Sequence, residues 1–143
     1  MSRLSRALVA FLLVSLTLPA AAFAEDEIVD RTAAHVERVE SGDVLVVKLA
    51  GSSERVKVRV LGIDCAKSAR GAASELVASK DVNLRSDKPF LPILQDQLGR
   101  YVAYVETTDG GDFGLQMLKS GKCTNKDWKI PHPKGAQYAQ VNP

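Results

Sequence analysis

Cysteine is scarce in this chain, and so is histidine. Cys65 and Cys123 are the only thiols among 143 residues, and His35 and His132 the only imidazoles. No two of these four sit at the close-pair spacing that a structural zinc site uses, which speaks against one. A second long apolar run is also missing. Ala7 to Leu18 is nearly all apolar but short for a bilayer, and nothing comparable follows. Excess charge of one sign is missing too once the first 24 residues are set aside: Arg3 and Arg6 go with them, leaving 17 basic against 17 acidic residues. A protein that grips nucleic acid mainly by neutralising phosphates is expected to be more basic. Internal repeats and low-complexity tracts are absent.

What is present at the start is an address. Basic Ser2-Arg3-Leu4-Ser5-Arg6, the apolar stretch and the small-residue pattern Ala22-Phe23-Ala24 before acidic Glu25-Asp26-Glu27 read as a signal peptide cleaved after Ala24. The alternative is an uncleaved N-terminal anchor; with no cysteine at the cleavage point, a lipid-anchored form is disfavoured. The expected product is secreted or periplasmic. Its organisation reads as an acidic lead over 25–32, one domain over 33–127 and a proline-containing tail over 128–143. A chain of that size buries about two-thirds of its unfolded surface.

Period-two alternation dominates the first half. Leu45, Val47 and Leu49 alternate with Val44, Val46 and Lys48; after Gly51-Ser52-Ser53, Val56, Val58 and Val60 alternate with Arg55, Lys57 and Arg59. This is a hairpin with an apolar inner face and Arg59 on the outer one. Ala33 to Val39 reads as a preceding strand, joined through the Ser41-Gly42 turn. Ala69, Ala72, Ala73, Leu76 and Val77 change to helical spacing within 68–80. Val82 with Leu84 marks another strand and 101–106 a further one. Residues 113–119 suit a short helix, with Leu115 and Leu118 inward and Gly121 at its end. Five short strands with a helix after the third predict an α+β, mainly β protein, a five-stranded barrel of the OB-fold type.

Three strings then carry chemistry: Ser41-Gly42-Asp43, Val58-Arg59-Val60-Leu61-Gly62-Ile63-Asp64, and Asp96-Gln97-Leu98-Gly99-Arg100. Together with Tyr101-Val102-Ala103-Tyr104-Val105 they resemble the thermonuclease, or staphylococcal-nuclease-like, family over about residues 36–123. The resemblance implies a barrel that binds nucleic acid and calcium and attacks a phosphodiester with water, a carboxylate base and two arginines. By motif position Asp43, Asp64 and the backbone carbonyl of Cys65 would ligate calcium, while Arg59 and Arg100 would hold the phosphate. The residue types suit those roles. Calcium takes six or more oxygens, and a guanidinium gives two fixed donors to a phosphate.

The chain departs from the family pattern at four places. Lys67 stands at the general-base position, and an ammonium with a pKa near about 10.4 accepts no proton at neutral pH. Ser41 replaces a common acid, which weakens the calcium site further. An ammonium three residues past Asp64 is expected to reach between the two aspartates and stand in for the ion. Lys88 to Leu94, with Pro89, Phe90, Leu91, Pro92 and Ile93, is unusually apolar; its side chains either fold back over the barrel or Pro89–Leu94 meets a protein partner. Finally, the family's long C-terminal helix is truncated, and Trp128 is expected to cover the surface it leaves.

In the family the segments that hold Cys65 and Cys123 run side by side, with Cα atoms about 4.5–5.5 Å apart in such a pair. The resemblance therefore implies a disulfide, favoured over two free thiols in an oxidising compartment. His35 and His132 read as surface residues. Lys119, Lys122, Lys126, Lys129 and Lys134 against Asp127 read first as a solvated surface and second as a polyanion contact. Two functions remain: a binding module for single-stranded nucleic acid or an envelope partner with little or no phosphodiesterase activity, or a calcium-dependent nuclease of DNA or RNA. Missing base, weakened cage and neutral charge favour the first.

Overall fold

A computed structural model describes residues 31–86, 94–127 and 131–142. The signal sequence, the apolar segment 88–93 and Trp128 lie outside the described residues. Eight strands and three short helices follow in order: β1 (Arg31–Ser41), β2 (Val44–Leu49), β3 (Arg55–Val60), β4 (Ile63–Cys65), α1 (Arg70–Val77), β5 (Asp81–Arg85), β6 (Leu94–Gln95), β7 (Tyr101–Thr107), α2 (Phe113–Lys119), β8 (Cys123–Asn125) and α3 (Gly135–Ala139). A 3-10 turn, Lys67–Ala69, leads into α1.

The strand order β3-β2-β1-β5-β7 closes on itself because β3 also pairs with β7, in parallel, through Val58↔Tyr101, Arg59↔Val102 and Val60↔Ala103. The result is a closed five-stranded mixed barrel of the OB-fold type, with β6 as a short flap on β7. β1 serves two neighbours, pairing with β5 through Arg31 to His35 and with β2 through Ala34 to Ser41. Register shifts at Val36/Arg38 and Val39/Ser41 bend it, as a strand that turns a barrel corner must. β1 therefore starts at Arg31, inside the stretch read as an acidic lead: Thr32 already pairs with Leu84.

Alternation decides the interior. Leu45, Val47, Val58 and Val60 are buried with Val36, Leu84, Val102 and Tyr104, while the 3-10 turn adds Ala69 and α1 adds Ala73 and Val77 to the same core. β2 is buried on both faces up to Val47, contrary to simple alternation. Outward Val46 lies in register between Arg38 and Lys57, and side chains of that type can lay their aliphatic stems along apolar surface. In α2 the inward side chains are Phe113, Met117 and Leu118, and Leu115 is only half-buried.

Beyond the barrel, β4 and β8 form a two-stranded antiparallel sheet with Cys65 opposite Cys123. An amide bond from Ala66 to Lys122 O (2.9 Å) flanks that pair, and one from Lys126 to Gly62 O (3.0 Å) closes the other end of the ribbon. Cys65 and Cys123 thus face each other at the close, non-hydrogen-bonded position, with Cα atoms 4.0 Å apart, and are disulfide-bonded. The stretch read as a tail packs onto the body, with Tyr138 in the core. No helix among the described residues is long and apolar enough to cross a membrane.

Candidate functional site

The site grows from the register of β2 and β3. Val44 pairs with Arg59, and the Val60 amide donates to Asp43 O at 2.8 Å, so Arg59 emerges beside Asp43. Gly42 allows this turn to sit deep: a Cβ there would lie 2.6 Å from Ala69 Cβ and 2.9 Å from Cys65 Cβ. Asp43 is consequently buried, yet both its oxygens are occupied. Oδ1 accepts from the Ser41 hydroxyl at 2.7 Å, and Oδ2 from the Cys65 amide at 3.0 Å, with Arg59 Nη1 at 3.2 Å.

Arg59 is the hub. Its Nη1 also donates to Val60 O (3.1 Å) and Ile63 O (2.8 Å), and its Nη2 lies 3.6 Å from Asp64 Oδ1. The guanidinium thus fills the space between the two aspartates. Asp64 is half exposed and has a second cation, Lys126 Nζ, at 3.5 Å from Oδ2. The ammonium expected to bridge the carboxylates is therefore not Lys67. Lys67 stands exposed on the 3-10 turn and makes no hydrogen bond or ion pair to the described residues. An arginine rooted on a strand next to Asp43 reaches the gap at little entropic cost, whereas a lysine beyond β4 would have to fold back.

Arg100 stands apart from this group. Its Nε donates to Asp96 Oδ2 at 2.6 Å, and Asp96 Oδ1 accepts from the Leu98 and Arg100 amides at 2.9 and 3.0 Å. Burial works against the Asp96 charge, but these bonds outweigh it and hold the carboxyl below its usual range. Arg100, Ser41, Glu40, Lys57, Val44 and exposed Leu98 line a groove of about 340 Å³. Ser41 joins the two halves, since it lines the groove and bonds Asp43. Glu40 is a poor proton acceptor there, because hydrogen bonds from Arg38 and Lys57 push its pKa down.

Asp43, Asp64 and the Cys65 carbonyl are the oxygens available to calcium. Three protein donors already engage Asp43, and the Arg59 guanidinium lies between it and Asp64, so calcium could use both carboxylates together only if Arg59 moved aside. Among the described residues no three His, Cys, Asp or Glu side chains converge.

One functional cluster is invisible to the sequence reading. His132, read as a surface residue, is only 4% exposed. Its Nε2 is 2.8 Å from Asn125 Oδ1 and its Nδ1 2.7 Å from the Tyr104 hydroxyl. With Asn125 Oδ1 as acceptor, Nε2 carries the proton and Nδ1 accepts from tyrosine. Lys134 is not solvated either: its Nζ donates to Asp112 Oδ2 at 2.8 Å and lies over the Tyr104 ring. Tyr138 donates to Asp112 Oδ1 at 2.8 Å, and burial pushes its hydroxyl well above the phenol range, so it stays a donor. His35, in contrast, is exposed on β1 and pairs with Asp81. The only hint of the cluster was the inward parity of Tyr104 on its strand; a histidine between prolines carries no period.

Compared with models of known protein families and with curated protein sequences, the chain matches none of them.

Proposed function

We propose that this chain is an exported, thermonuclease-like OB-fold module that binds single-stranded nucleic acid with little or no phosphodiesterase activity. The observation that carries this reading is the Arg59 guanidinium lodged between Asp43 and Asp64. A hydrolytic site needs carboxylates free to hold a metal and a base free to take a proton from water. Here Asp43 already accepts from three donors of its own fold, and the residue at the base position, Lys67, is a cation. Loss of a positioned general base commonly costs about 10²–10⁴ in rate. What remains is suited to holding a phosphodiester. Lys126 stands beside the Arg59 group, while Arg100 and Lys57 line the neighbouring groove that Ser41 joins to it, where apolar Leu98 at the lip would admit a base. The disulfide supports an oxidising compartment, hence export.

The test is a fluorescence-polarisation titration of the chain from residue 25 with a labelled single-stranded oligonucleotide, beside a nuclease assay and a melting curve in millimolar calcium. Saturable binding is expected, weakened severalfold by Arg100→Ala, with negligible cleavage and no rise in Tm on adding calcium. Robust calcium-dependent degradation, abolished by Asp43→Ala and Asp64→Ala, would establish the nuclease instead.

A further inference from the structure

We infer that His132 is a positioning residue for the site turn, and that the segment 131–142 is a clasp held shut by its neutral imidazole and loosened by mild acid. The turn between β3 and β4 supplies the two carbonyls, Val60 O and Ile63 O, that anchor Arg59, and it carries Asp64. At its apex Gly62 has φ +86°, and a Cβ there would come within 2.5 Å of His132 Cε1. The imidazole therefore lies directly on the turn. From the other side the Lys126 amide holds Gly62 O. A cavity of about 160 Å³ bounded by Arg59, Gly62, Ile63, Val102, Lys126 and Asp127 lies beside this contact. Whatever moves His132 thus acts on Arg59 and Asp64 through the turn.

The clasp is fastened by polar bonds to three separate elements. His132 bonds Tyr104 on β7 and Asn125 on β8, and Tyr138 and Lys134 bond Asp112 at the start of α2. The Lys134 amide also donates to the Tyr104 hydroxyl at 3.0 Å. A second proton on His132 would go to Nδ1 and turn the Tyr104 bond from O–H···N to N–H···O. It would then compete with the Lys134 amide for the same oxygen. Around the ring, burial disfavours the charged form most; Asp127, whose Oδ1 accepts from the His132 amide at 3.4 Å, and Asp112 favour it, and Lys134 opposes it. Across the turn stand two more cations, Arg59 and Lys126, and among the described residues the ring is also met by Tyr104, Tyr138 and the Asn125 amide. Burial prevails, and the imidazole is held below its ordinary value.

The sign follows from linkage. A group whose folded pKa lies below its unfolded value of about 6.5 contributes full stability above that pH and loses it as the pH falls toward the folded value. Imidazoles ordinarily titrate at about 6.5 and carboxylates at about 4, so a window from pH 7.5 to pH 5 addresses the two histidines, and substitution of His132 separates it from His35. This inference rests on the Arg59 group being the ligand site, but it is tested on the protein alone, so its failure is separable from any failure to bind nucleic acid.

The experiment is amide hydrogen exchange, corrected for intrinsic rate, at Cys65, Lys126 and Tyr138 of the disulfide-bonded chain. The Cys65 amide reports the site through Asp43, the Lys126 amide reports the turn through Gly62 O, and the Tyr138 amide reports the clasp. All three protection factors are expected to fall between pH 7.5 and pH 5, and the fall should vanish in His132→Gln. Protection that is constant over the window, that falls equally in His132→Gln, or that falls at Tyr138 but not at Cys65 would overturn the inference. Should His132→Gln not fold, the variant His35→Asn leaves His132 as the sole imidazole for an NMR titration. Its midpoint must lie below about 6.5 and coincide with the loss of protection; a midpoint at or above that value refutes the clasp.

Discussion

At the scale of single residues, the spacing of charged side chains along the chain singled out a group that the fold brings together, but not the cation at its centre. Asp43, Asp64 and Arg59 do come together, since a hairpin register and one tight turn suffice to bring them there. Which ammonium or guanidinium fills the gap depends on where each side chain is rooted, and spacing past Asp64 did not reveal that Lys67 points away. Arg59→Ala should therefore destabilise the protein, and Lys67→Ala should not. Breaking a buried pair costs about 3–5 kcal/mol, but Asp43 keeps its bonds from Ser41 and Cys65, so about 2–3 kcal/mol is expected for Arg59→Ala. Lys67→Ala should stay within about 0.5 kcal/mol. Urea unfolding of the two variants decides, and a reversed order would return the central role to the lysine.

At the scale of elements, long periodic segments were legible and short ones were not. The β2–β3 hairpin and α2 follow directly from alternation and from helical spacing. β4 and β8, three residues each, are shorter than any period that could betray them. α3 follows two prolines and has no long apolar stripe, so its docking depends on Tyr138 meeting Asp112 across the fold. The β4–β8 ribbon is too short to hold by its ladder alone, and the bridge supplies what the ladder lacks. Its cysteines are 58 residues apart in sequence, for which the chain-entropy model gives about 3–5 kcal/mol. The double variant Cys65→Ser, Cys123→Ser should lose about that much in urea unfolding. Its loss should fall first on the protection of Ala66 and Lys126, the amides at the two ends of the ribbon. The intact chain should show no thiol open to alkylation under denaturing, non-reducing conditions.

At the scale of the whole molecule, the balance of charge limits how nucleic acid can be held. Residues 25–143 carry as many acids as bases, and many cations are tied into pairs such as Arg55 with Glu37 and Arg85 with Glu106. Arg59, Arg100, Lys57 and Lys126 are paired too, in turn with Asp43 and Asp64, with Asp96, with Glu40 and with Asp64, so a phosphate must displace a carboxylate to reach them. Single strands lose affinity with salt by about 0.7 per phosphate neutralised, so at most three or four such contacts predict a slope of log K against log salt no steeper than about −3. Polarisation titrations across a salt series measure it; a slope near −6 would mean a broad basic surface that the fold does not present around the site.

The parallel seam between β3 and β7 bears on how such a chain comes into being. β1, β2 and β3 can zip up from neighbouring residues as soon as they are free, but Val58 has no partner on its far side until Tyr101 arrives from much later in the chain. In the interval the meander is an open sheet with a bare edge and one naked apolar face, the kind of species that sticks to its own copies. Closure at the seam is therefore the slow step of folding. A protein cut short before Tyr101 would accumulate as insoluble material rather than as a smaller barrel.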